Sequence, residues 1–239
     1  MVCNSGVRMA SRIDGTTHTF AEHGLYDGLF LLRDEETGTF WDHMTGDAVY
    51  GPLVGRSLDV STLRQTTAGQ ILGEDPDTRI ALSDRRLRDD EDMKLGGLLA
   101  GVRGRLSGMF RSTVDDEDDR RPTMDLGMGV WSGEQARYYP YEVVSARDRA
   151  VLDDFAGRRV LIYLDPAAYA LAALYTDAES ASWDGDVLRL SDGTYVEGGV
   201  LHDRSGGRLD AARPLQVFTR WYGFSLTFPH TEIFGDGPG

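Results

Sequence analysis

One short segment near the start of the chain combines a thiol with hydrogen-bonding side chains. Cys3, Asn4, Ser5 and Gly6 follow one another, and Cys3 is the single cysteine of the 239 residues. Backbone amides in such a tight turn lower the pKa of a thiol or hold an anion. Cys3 is therefore a candidate nucleophile or metal ligand, and the turn is a candidate anion-binding element. The alternative is that a lone cysteine so close to a chain terminus has no chemical role.

Three histidines in the following segment, His18, His23 and His43, are candidate ligands for a divalent metal together with Cys3. Imidazole and thiolate groups form mixed sites for such metals. Along one extended strand, positions 18 and 23 point to opposite faces unless a bulge intervenes, whereas His23 and His43 can meet across a hairpin. The same residues suggest a thiol-dependent enzyme in which His23 or His43 is the base for Cys3. Surface histidines of an acid-rich protein are the simpler alternative.

A small-molecule pocket around the turn is the interpretation that we favour. Its expected lining combines the turn with residues that follow the first hairpin: Cys3, Asn4, Ser5, Gly6, Trp41, His43, Thr45 and Gly46. Aromatic residues at the density found here belong more often to a core than to a pocket. The sequence contains no phosphate-binding loop, dinucleotide fingerprint, HExxH pair or Gly-x-Ser-x-Gly elbow. A binding or sensing module is thus favoured over the common nucleotide-dependent and hydrolytic enzymes.

The charge of the chain bears on its partners and its environment. There are 39 acidic and 25 basic residues, a net charge of −14, and Lys94 is the only lysine. Such a surface repels phosphate backbones, so we expect no nucleic-acid partner. It predicts a halophilic or halotolerant source, because salt screens the self-repulsion; a high-GC genome that favours arginine is the alternative. No stretch of about 18 apolar residues and no leader-like start is present, so we expect a cytoplasmic protein without a membrane partner.

The pattern of strands, turns and breakers predicts an α+β fold that is mostly β. Two related β-rich units, 1–83 and 126–239, each carry one covering helix and flank an acidic insertion at 84–125. The insertion contains an amphipathic helix at 95–110, which either docks on the body or contacts a partner in a scaffold protein. A ligand cleft is expected where the two units meet. The sequence does not indicate an oligomeric state.

Individual elements follow from local signals. In the first unit, a turn at 34–38 predicts a hairpin with the segment 39–44, and a helix is expected over 61–72 with Ser61 as its N-cap. The second unit is expected to contain strands, a hairpin and two helices; the strands are 130–138, 160–164 and 169–175, the hairpin pairs 187–190 with 194–197, and the helices are 141–155 and 214–227.

The ends of the two units resemble each other. Residues 66–80 align without gaps on residues 219–233, with four identities in 15 positions. Both segments read as a helix, a Pro-x-Thr sequence and a short strand. This agreement in order suggests an internal repeat.

Several motifs, in their order and spacing, resemble the family catalogued as domain of unknown function 3179. They are Cys3-Asn4-Ser5-Gly6-Val7, Phe40-Trp41-Asp42-His43-Met44-Thr45-Gly46, Gly51-Pro52-Leu53-Val54-Gly55, Asp75-Pro76-Asp77-Thr78, Ala136-Arg137-Tyr138-Tyr139-Pro140, Gly157-Arg158-Arg159-Val160 and Phe228-Pro229-His230-Thr231. The resemblance covers roughly residues 3–82 and 126–234. It implies no activity. Members usually carry an upstream Cys-Pro-x-Cys turn, so we expect a chain truncated at its start and without two-cysteine chemistry.

Overall fold

The computed structural model describes residues 6–82, 112–114 and 117–235. The described residues form the following strands and helices. The strands are β1 (Val7–Met9), β2 (Arg12–Ile13), β3 (Thr16–Thr17), β4 (Phe20–Tyr26), β5 (Leu29–Asp34), β6 (Phe40–Asp42), β7 (Ala48–Tyr50), β8 (Val60–Thr62), β9 (Leu126–Ser132), β10 (Gln135–Pro140), β11 (Ala150–Phe155), β12 (Arg158–Asp165), β13 (Ala170–Tyr175), β14 (Ala181–Asp184), β15 (Val187–Leu190), β16 (Tyr195–Glu197), β17 (Val200–His202), β18 (Arg208–Leu209), β19 (Leu215–Arg220) and β20 (Glu232–Ile233). The helices are α1 (Ala68–Glu74), α2 (Tyr141–Ala146) and α3 (Trp221–Thr227). The expected α+β, mostly β class is confirmed.

The N-terminal half is built on the antiparallel meander β4-β5-β6-β7. Its first hairpin closes through Asp27 and Gly28, whose φ angles are +46° and +70°. Positive φ at both turn residues matches the twist of the paired strands, and Asp-Gly is a preferred sequence for such a turn. Beside the meander, β1 pairs with β8 and β2 pairs with β3. A small core forms between these pieces around Trp41 and Leu58.

The C-terminal half contains three sheets, ordered β19-β9-β10-β20, β11-β12-β13 and β14-β15-β16-β17-β18. The three-stranded sheet is buried on both faces. Val160 and Ile162 of β12 pack toward β9 and α2, whereas Leu161 and Tyr163 pack toward the five-stranded sheet. Successive side chains of a strand point to opposite faces, so a strand buried on both sides appears as a continuous apolar run. This explains the strong signal at 160–164, which lies within β12.

The two halves pack against each other through a shared core. Met44 of the N-terminal half is fully buried among Trp131, Trp221 and Phe224 of the C-terminal half. The hydroxyl of Thr227 donates to the Met44 sulfur at 3.3 Å. Strand β8 lies against β19 at the same junction. The junction therefore places the end of β8 beside the start of β19, where the candidate site lies.

Two expected helices begin later than the sequence indicated. The expected helix at 61–72 is wrong in its first half, because Ser61 lies in β8 and α1 starts after Thr67, which caps it together with Gln70 in a capping box. The expected helix at 214–227 is wrong in the same way, because its first half forms β19. In both segments a β-strand pairing competes with weak helix propensity and wins.

The expected strand and helix of the segment 130–155 also differ from the observed elements. The expected single strand at 130–138 is a hairpin of β9 and β10, and the expected helix at 141–155 ends at Ala146 and gives way to β11. By contrast, the β5–β6 hairpin, strand β13 and the β15–β16 hairpin confirm their predictions. The expected amphipathic helix at 95–110 lies outside the described residues.

The two segments that align in sequence contain helices of equal length at aligned positions. α1 and α3 each contain seven residues, and the alignment places their first and last residues opposite each other. α1 follows β8, which is antiparallel to β1, and α3 follows β19, which is antiparallel to β9. In the part of the chain that the structure describes, no helix has the length and apolar character needed to span a membrane.

Candidate functional site

A cavity of about 240 Å³ opens at the junction of the two halves. Its apolar lining comes from both sides of the junction and consists of Leu63, Met128, Leu171, Ala172, Val217 and Phe218. Its polar lining consists of Arg64, Gln65, Arg213 and Gln216. Gly6 completes the wall. The cavity thus joins an apolar surface to a pair of arginines, one from each half.

Arg213 contributes a positive charge to the cavity wall and bonds to backbone carbonyls. Its Nη1 donates to the carbonyl oxygen of Ala173 at 2.9 Å, and its Nη2 reaches the Gly199 carbonyl at 3.5 Å. Across the described ranges, Arg213 forms no ion pair. The side chain is half-buried, so water screens its charge only in part. Burial raises the pKa of the nearby Tyr163 hydroxyl, and the Arg213 charge opposes that rise.

Arg64, the second arginine of the cavity, is neutralised and fixed in place. It forms an ion pair with Glu74 of α1, and its Nη1 donates to the Gly199 carbonyl at 3.0 Å. Both side chains of the pair are largely buried. Because both arginines reach the Gly199 carbonyl, that turn holds Arg64 beside Arg213 across the junction. Of the two, Arg213 is the group with charge available to a ligand.

A hydrogen bond between α1 and β12 ties the two halves together next to the cavity. The Gln70 side-chain amide donates to Oδ2 of Asp165 at 2.8 Å and to the Gly198 carbonyl at 3.0 Å. Asp165 is buried, and its Oδ1 accepts the backbone N–H of Ala167 at 2.9 Å. The buried carboxylate is therefore well supplied with donors, as buried charges require.

Gln216 forms part of the cavity wall and completes the edge of β13. Its Oε1 accepts the backbone N–H of Ala173 at 2.7 Å, and its Nε2 donates to the Ala173 carbonyl at 2.9 Å. The side-chain amide thereby makes the pair of hydrogen bonds that a neighbouring strand would make. Gln216 is buried, so its orientation is fixed by these two bonds. Gln216 therefore shapes the cavity wall, and its side-chain amide has few hydrogen-bonding positions left for a ligand.

The residues expected around the N-terminal turn are only partly described. Cys3, Asn4 and Ser5 lie outside the described residues, whereas Gly6 lines the cavity. Trp41 is buried in the N-terminal core, and His43, Thr45 and Gly46 lie in the turn after β6; none of these four lines the cavity.

The histidines expected as metal ligands occupy different places in the fold. His23 is exposed on β4, and its ring packs against Phe40 at 5.1 Å between ring centres. Strand β5 lies between β4 and the strand that leads to His43. A bulge does intervene in β4, between Glu22 and Leu25. His18 is buried beside two carboxylates, and this is the group of potential metal ligands found in the described segments.

Sequence patterns indicated none of the polar residues of the cavity, which are Arg64, Gln65, Arg213 and Gln216. Single arginines and glutamines spaced far apart in the chain form no motif. The expected cleft where the two units meet does predict the region of the cavity, because it indicates residues near the ends of each unit.

Comparison with known proteins adds the family to this picture. The sequence model described as Protein of unknown function (DUF3179) matches residues 1–228. No curated protein and no solved structure gives a significant match. The matched range includes the N-terminal half, the C-terminal half up to Phe228 and every residue that lines the cavity. The resemblance inferred from the motifs is confirmed, and the chain belongs to the DUF3179 family.

Proposed function

We propose that the chain is a binding or sensing module for a small organic anion, which occupies the cavity between the two halves. The observation that carries this proposal is Arg213, a half-buried guanidinium in the cavity wall that forms no ion pair in the described chain. A charged group out of bulk water needs a counter-charge. A carboxylate suits a guanidinium in both geometry and charge.

The rest of the lining specifies the body of the ligand. Six of the eleven lining residues are apolar, among them Leu171 and Phe218. Ligand pockets commonly combine such a surface with a few polar groups that fix orientation. A small volume of about 240 Å³ excludes large cofactors from the described cavity. We therefore expect a compact carboxylate with an apolar body.

The position of the cavity supports the same function. Gly6, the described residue of the Cys3-Asn4-Ser5-Gly6 segment, contributes to its wall. Residues from both halves contribute, which couples ligand binding to the packing of the halves. A ligand that bridges the junction stabilises the assembled fold. This is the property expected of a sensing module.

The proposal is tested with small carboxylates of increasing apolar size, from acetate to benzoate. Each carboxylate is paired with its neutral amide, which has nearly the same shape and no charge. Binding is measured by calorimetry and by the shift in Tm at constant ionic strength. We expect at least one carboxylate to bind and its amide to bind at least about tenfold more weakly, because the amide lacks the charge-assisted hydrogen bonds to Arg213.

Variants locate the binding site. Arg213→Gln is expected to abolish the difference between carboxylate and amide. Arg56→Gln is the matched control, because Arg56 is an exposed arginine whose partner, Asp14, is also exposed. The proposal fails if no carboxylate binds, or if carboxylate binding is the same in Arg213→Gln as in the unaltered protein.

The remaining expectations from the sequence are proposals of the same kind. We propose a cytoplasmic protein adapted to high salt, consistent with the net charge of −14. We also propose that the two halves are an internal repeat, which the corresponding positions of α1 and α3 support. An enzyme that uses Cys3 and a scaffold that uses 95–110 remain alternatives, and both depend on residues outside the described ranges.

A further inference from the structure

His18, Asp34 and Glu36 bring three potential metal ligands together beside the N-terminal meander. Nδ1 of His18 lies 3.4 Å from Oδ1 of Asp34 and 3.8 Å from Oε2 of Glu36. The three ligand atoms all lie within 4.8 Å of one another. His18 and Asp34 are buried, and Glu36 stands at the surface. The cluster is therefore a shallow site with a buried floor and one side open to solvent.

The backbone holds the three side chains in this arrangement. His18 follows β3, and its N–H donates to the carbonyl of Ser11 at 2.7 Å. Asp34 ends β5, and Glu36 lies in the turn that follows. The N–H of Thr19 donates to Oε2 of Glu36 at 2.9 Å, while the N–H of Glu35 donates to the Thr19 carbonyl at 2.9 Å. These bonds join the loop of His18 to the turn of Glu36, so the site is preorganised.

Nδ1 of His18 is a buried polar atom without a hydrogen-bond partner in the described structure. The His18 side chain is only 5% exposed, so water does not readily satisfy this nitrogen. The 3.4 Å to Asp34 is longer than an ordinary N–H···O bond of about 2.7–3.2 Å. Buried polar atoms are normally satisfied. Nδ1 therefore points toward two carboxylates at a distance that leaves room for a further atom.

Asp34 has one acceptor position left. A carboxylate accepts about four hydrogen bonds. Three donors approach Asp34: the Trp41 indole at 2.8 Å from Oδ2, the Thr37 backbone N–H at 2.6 Å from Oδ1, and the Thr37 hydroxyl, which lies 2.8 Å from both oxygens. These bonds fix the orientation of the carboxylate and leave it ionised. When the Thr37 hydroxyl donates to Oδ2, the open position is on Oδ1, the oxygen that lies 3.4 Å from Nδ1 of His18.

From this geometry we propose that His18, Asp34 and Glu36 bind a divalent metal of the zinc class. In a tetrahedral site with bonds of about 2.1 Å, ligand atoms are about 3.4 Å apart. The two distances from His18, 3.4 and 3.8 Å, are close to that spacing. One imidazole and two carboxylates suit Zn²⁺ better than Mg²⁺, which prefers oxygen ligands alone. Three protein ligands leave a fourth position, which water fills from the open side next to Glu36.

The test uses the full chain, stripped with a chelator and then titrated with Zn²⁺ or Mg²⁺ in salt-containing buffer. We expect one Zn²⁺ per chain, measured by elemental analysis and calorimetry, and weaker binding of Mg²⁺. Glu36→Gln is the principal variant, because the amide oxygen can still accept the Thr19 N–H. Loss of an outer partner of a metal ligand weakens binding about 10- to 100-fold, so loss of this ligand is expected to weaken it at least about tenfold.

Matched controls separate this site from unspecific binding to an acidic surface. Glu35→Gln removes the neighbouring carboxylate and is expected to leave the Zn²⁺ affinity unchanged. His18→Gln is expected to weaken binding, whereas His202→Gln is expected to have no effect. With Co²⁺ in place of Zn²⁺, the unaltered protein is expected to show the intense visible absorption of a tetrahedral complex, and Glu36→Gln to lose it.

Two outcomes overturn the proposal. One is the absence of stoichiometric Zn²⁺ binding by the unaltered protein, which would leave His18 and Asp34 as a structural pair. The other is Zn²⁺ binding that Glu36→Gln and Glu35→Gln weaken equally, which would place the metal on the general acidic surface. Glu36→Gln is compared with the unaltered protein by circular dichroism, so that a folding defect is recognised.

Discussion

The indole Nε1 of Trp41 lies 2.8 Å from Oδ2 of Asp34, and neither side chain is exposed to solvent. The hydrogen bond joins the end of β5 to β6 and secures the hairpin between them. Burial by itself raises the pKa of a carboxyl group, but the donors Trp41 and Thr37 outweigh it and lower the pKa of Asp34 to about 2. A buried negative charge thus remains in place at neutral pH.

This depressed pKa predicts a defined loss of stability in acid. The contribution of Asp34 is complete above the ordinary carboxyl pKa of 3.8 and disappears as the pH falls toward about 2. A shift of this size corresponds to about 2 kcal/mol. We expect Asp34→Asn to be about 2 kcal/mol less stable than the unaltered protein at pH 7, and the difference to shrink toward pH 2.

Urea unfolding at several pH values measures this difference, with a chelator present so that metal binding does not contribute. Asp186→Asn is the control, since Asp186 is an exposed aspartate in the turn before β15. A difference between the unaltered protein and Asp34→Asn that stays constant from pH 7 to pH 2 would contradict the assigned pKa.

A second prediction concerns the close approach of Gly129 to Phe224. A Cβ atom built on Gly129 meets Cε2 of the Phe224 ring at 2.1 Å, and the ring is fully buried. No rotation of the ring relieves contact with three of its atoms in a packed core. Gly129→Ala is expected to lower the free energy of unfolding by about 1–3 kcal/mol or more. Chemical denaturation provides the measurement.

Gly73→Ala is the matched control for this change. A Cβ atom at Gly73 meets nothing within 4 Å, and the residue lies in α1. Alanine is favoured over glycine in helices by about 0.5–1 kcal/mol, so this variant is expected to be neutral or more stable. Equal destabilisation by both substitutions would refute the packing argument.

The edge of β13 supplies a third prediction. Gln216→Leu preserves the side-chain volume but removes the two hydrogen bonds from Gln216 to the N–H and the carbonyl of Ala173. Of these, the N–H is left without a partner, while the carbonyl retains Arg213. A buried unsatisfied donor costs about 1–3 kcal/mol, and we expect a loss of stability in that range. Gln135→Leu, at an exposed position of β10, is expected to change stability by less than about 0.5 kcal/mol. Comparable losses in the two variants would contradict the edge-capping role of Gln216.

Much of the fold follows from local patterns in the sequence. The continuous apolar run at 160–164 and the turn at 191–193 identified β12 and the β15–β16 hairpin, because burial and turn chemistry act over a few residues. The prediction of a helix over 214–227 is wrong in its first half for the opposite reason, because a distant pairing decides the structure there. Its first half pairs with β9, about 90 residues away in the chain, and this pairing decides its structure.

The candidate site was less accessible to sequence reasoning than the fold. Arg64 and Arg213 belong to different halves and come together where β8 packs against β19 and where both side chains reach the Gly199 carbonyl. His18 was identified as a potential metal ligand, but its neighbours Asp34 and Glu36 were not. Their proximity depends on the turn after β5 folding back toward Thr19. Such contacts arise from tertiary structure and leave no local pattern.

The final prediction tests whether the link between the halves depends on Gln70. Its amide gives both side-chain hydrogens to the C-terminal half, to Asp165 and to the Gly198 carbonyl. Gln70→Glu replaces these donors with a second carboxylate beside a buried one. Of two carboxylates that share a site, one has a raised pKa. A group with a pKa raised by folding destabilises the protein above that pKa, and the cost disappears as the pH falls.

We therefore expect Gln70→Glu to lower the free energy of unfolding by about 1–3 kcal/mol at pH 7 and by less at pH 4. Gln135→Glu introduces the same charge at an exposed site and is expected to have little effect at either pH.

Gln70→Glu is also expected to weaken binding of a carboxylate at Arg213, because Arg64 and Gln70 both anchor the N-terminal half to the turn at Gly198 and Gly199. Unfolding monitored by tryptophan fluorescence and calorimetry for ligand binding check the two effects. A stability loss at pH 7 with unchanged carboxylate binding would show that the cavity keeps its shape without the Gln70 link.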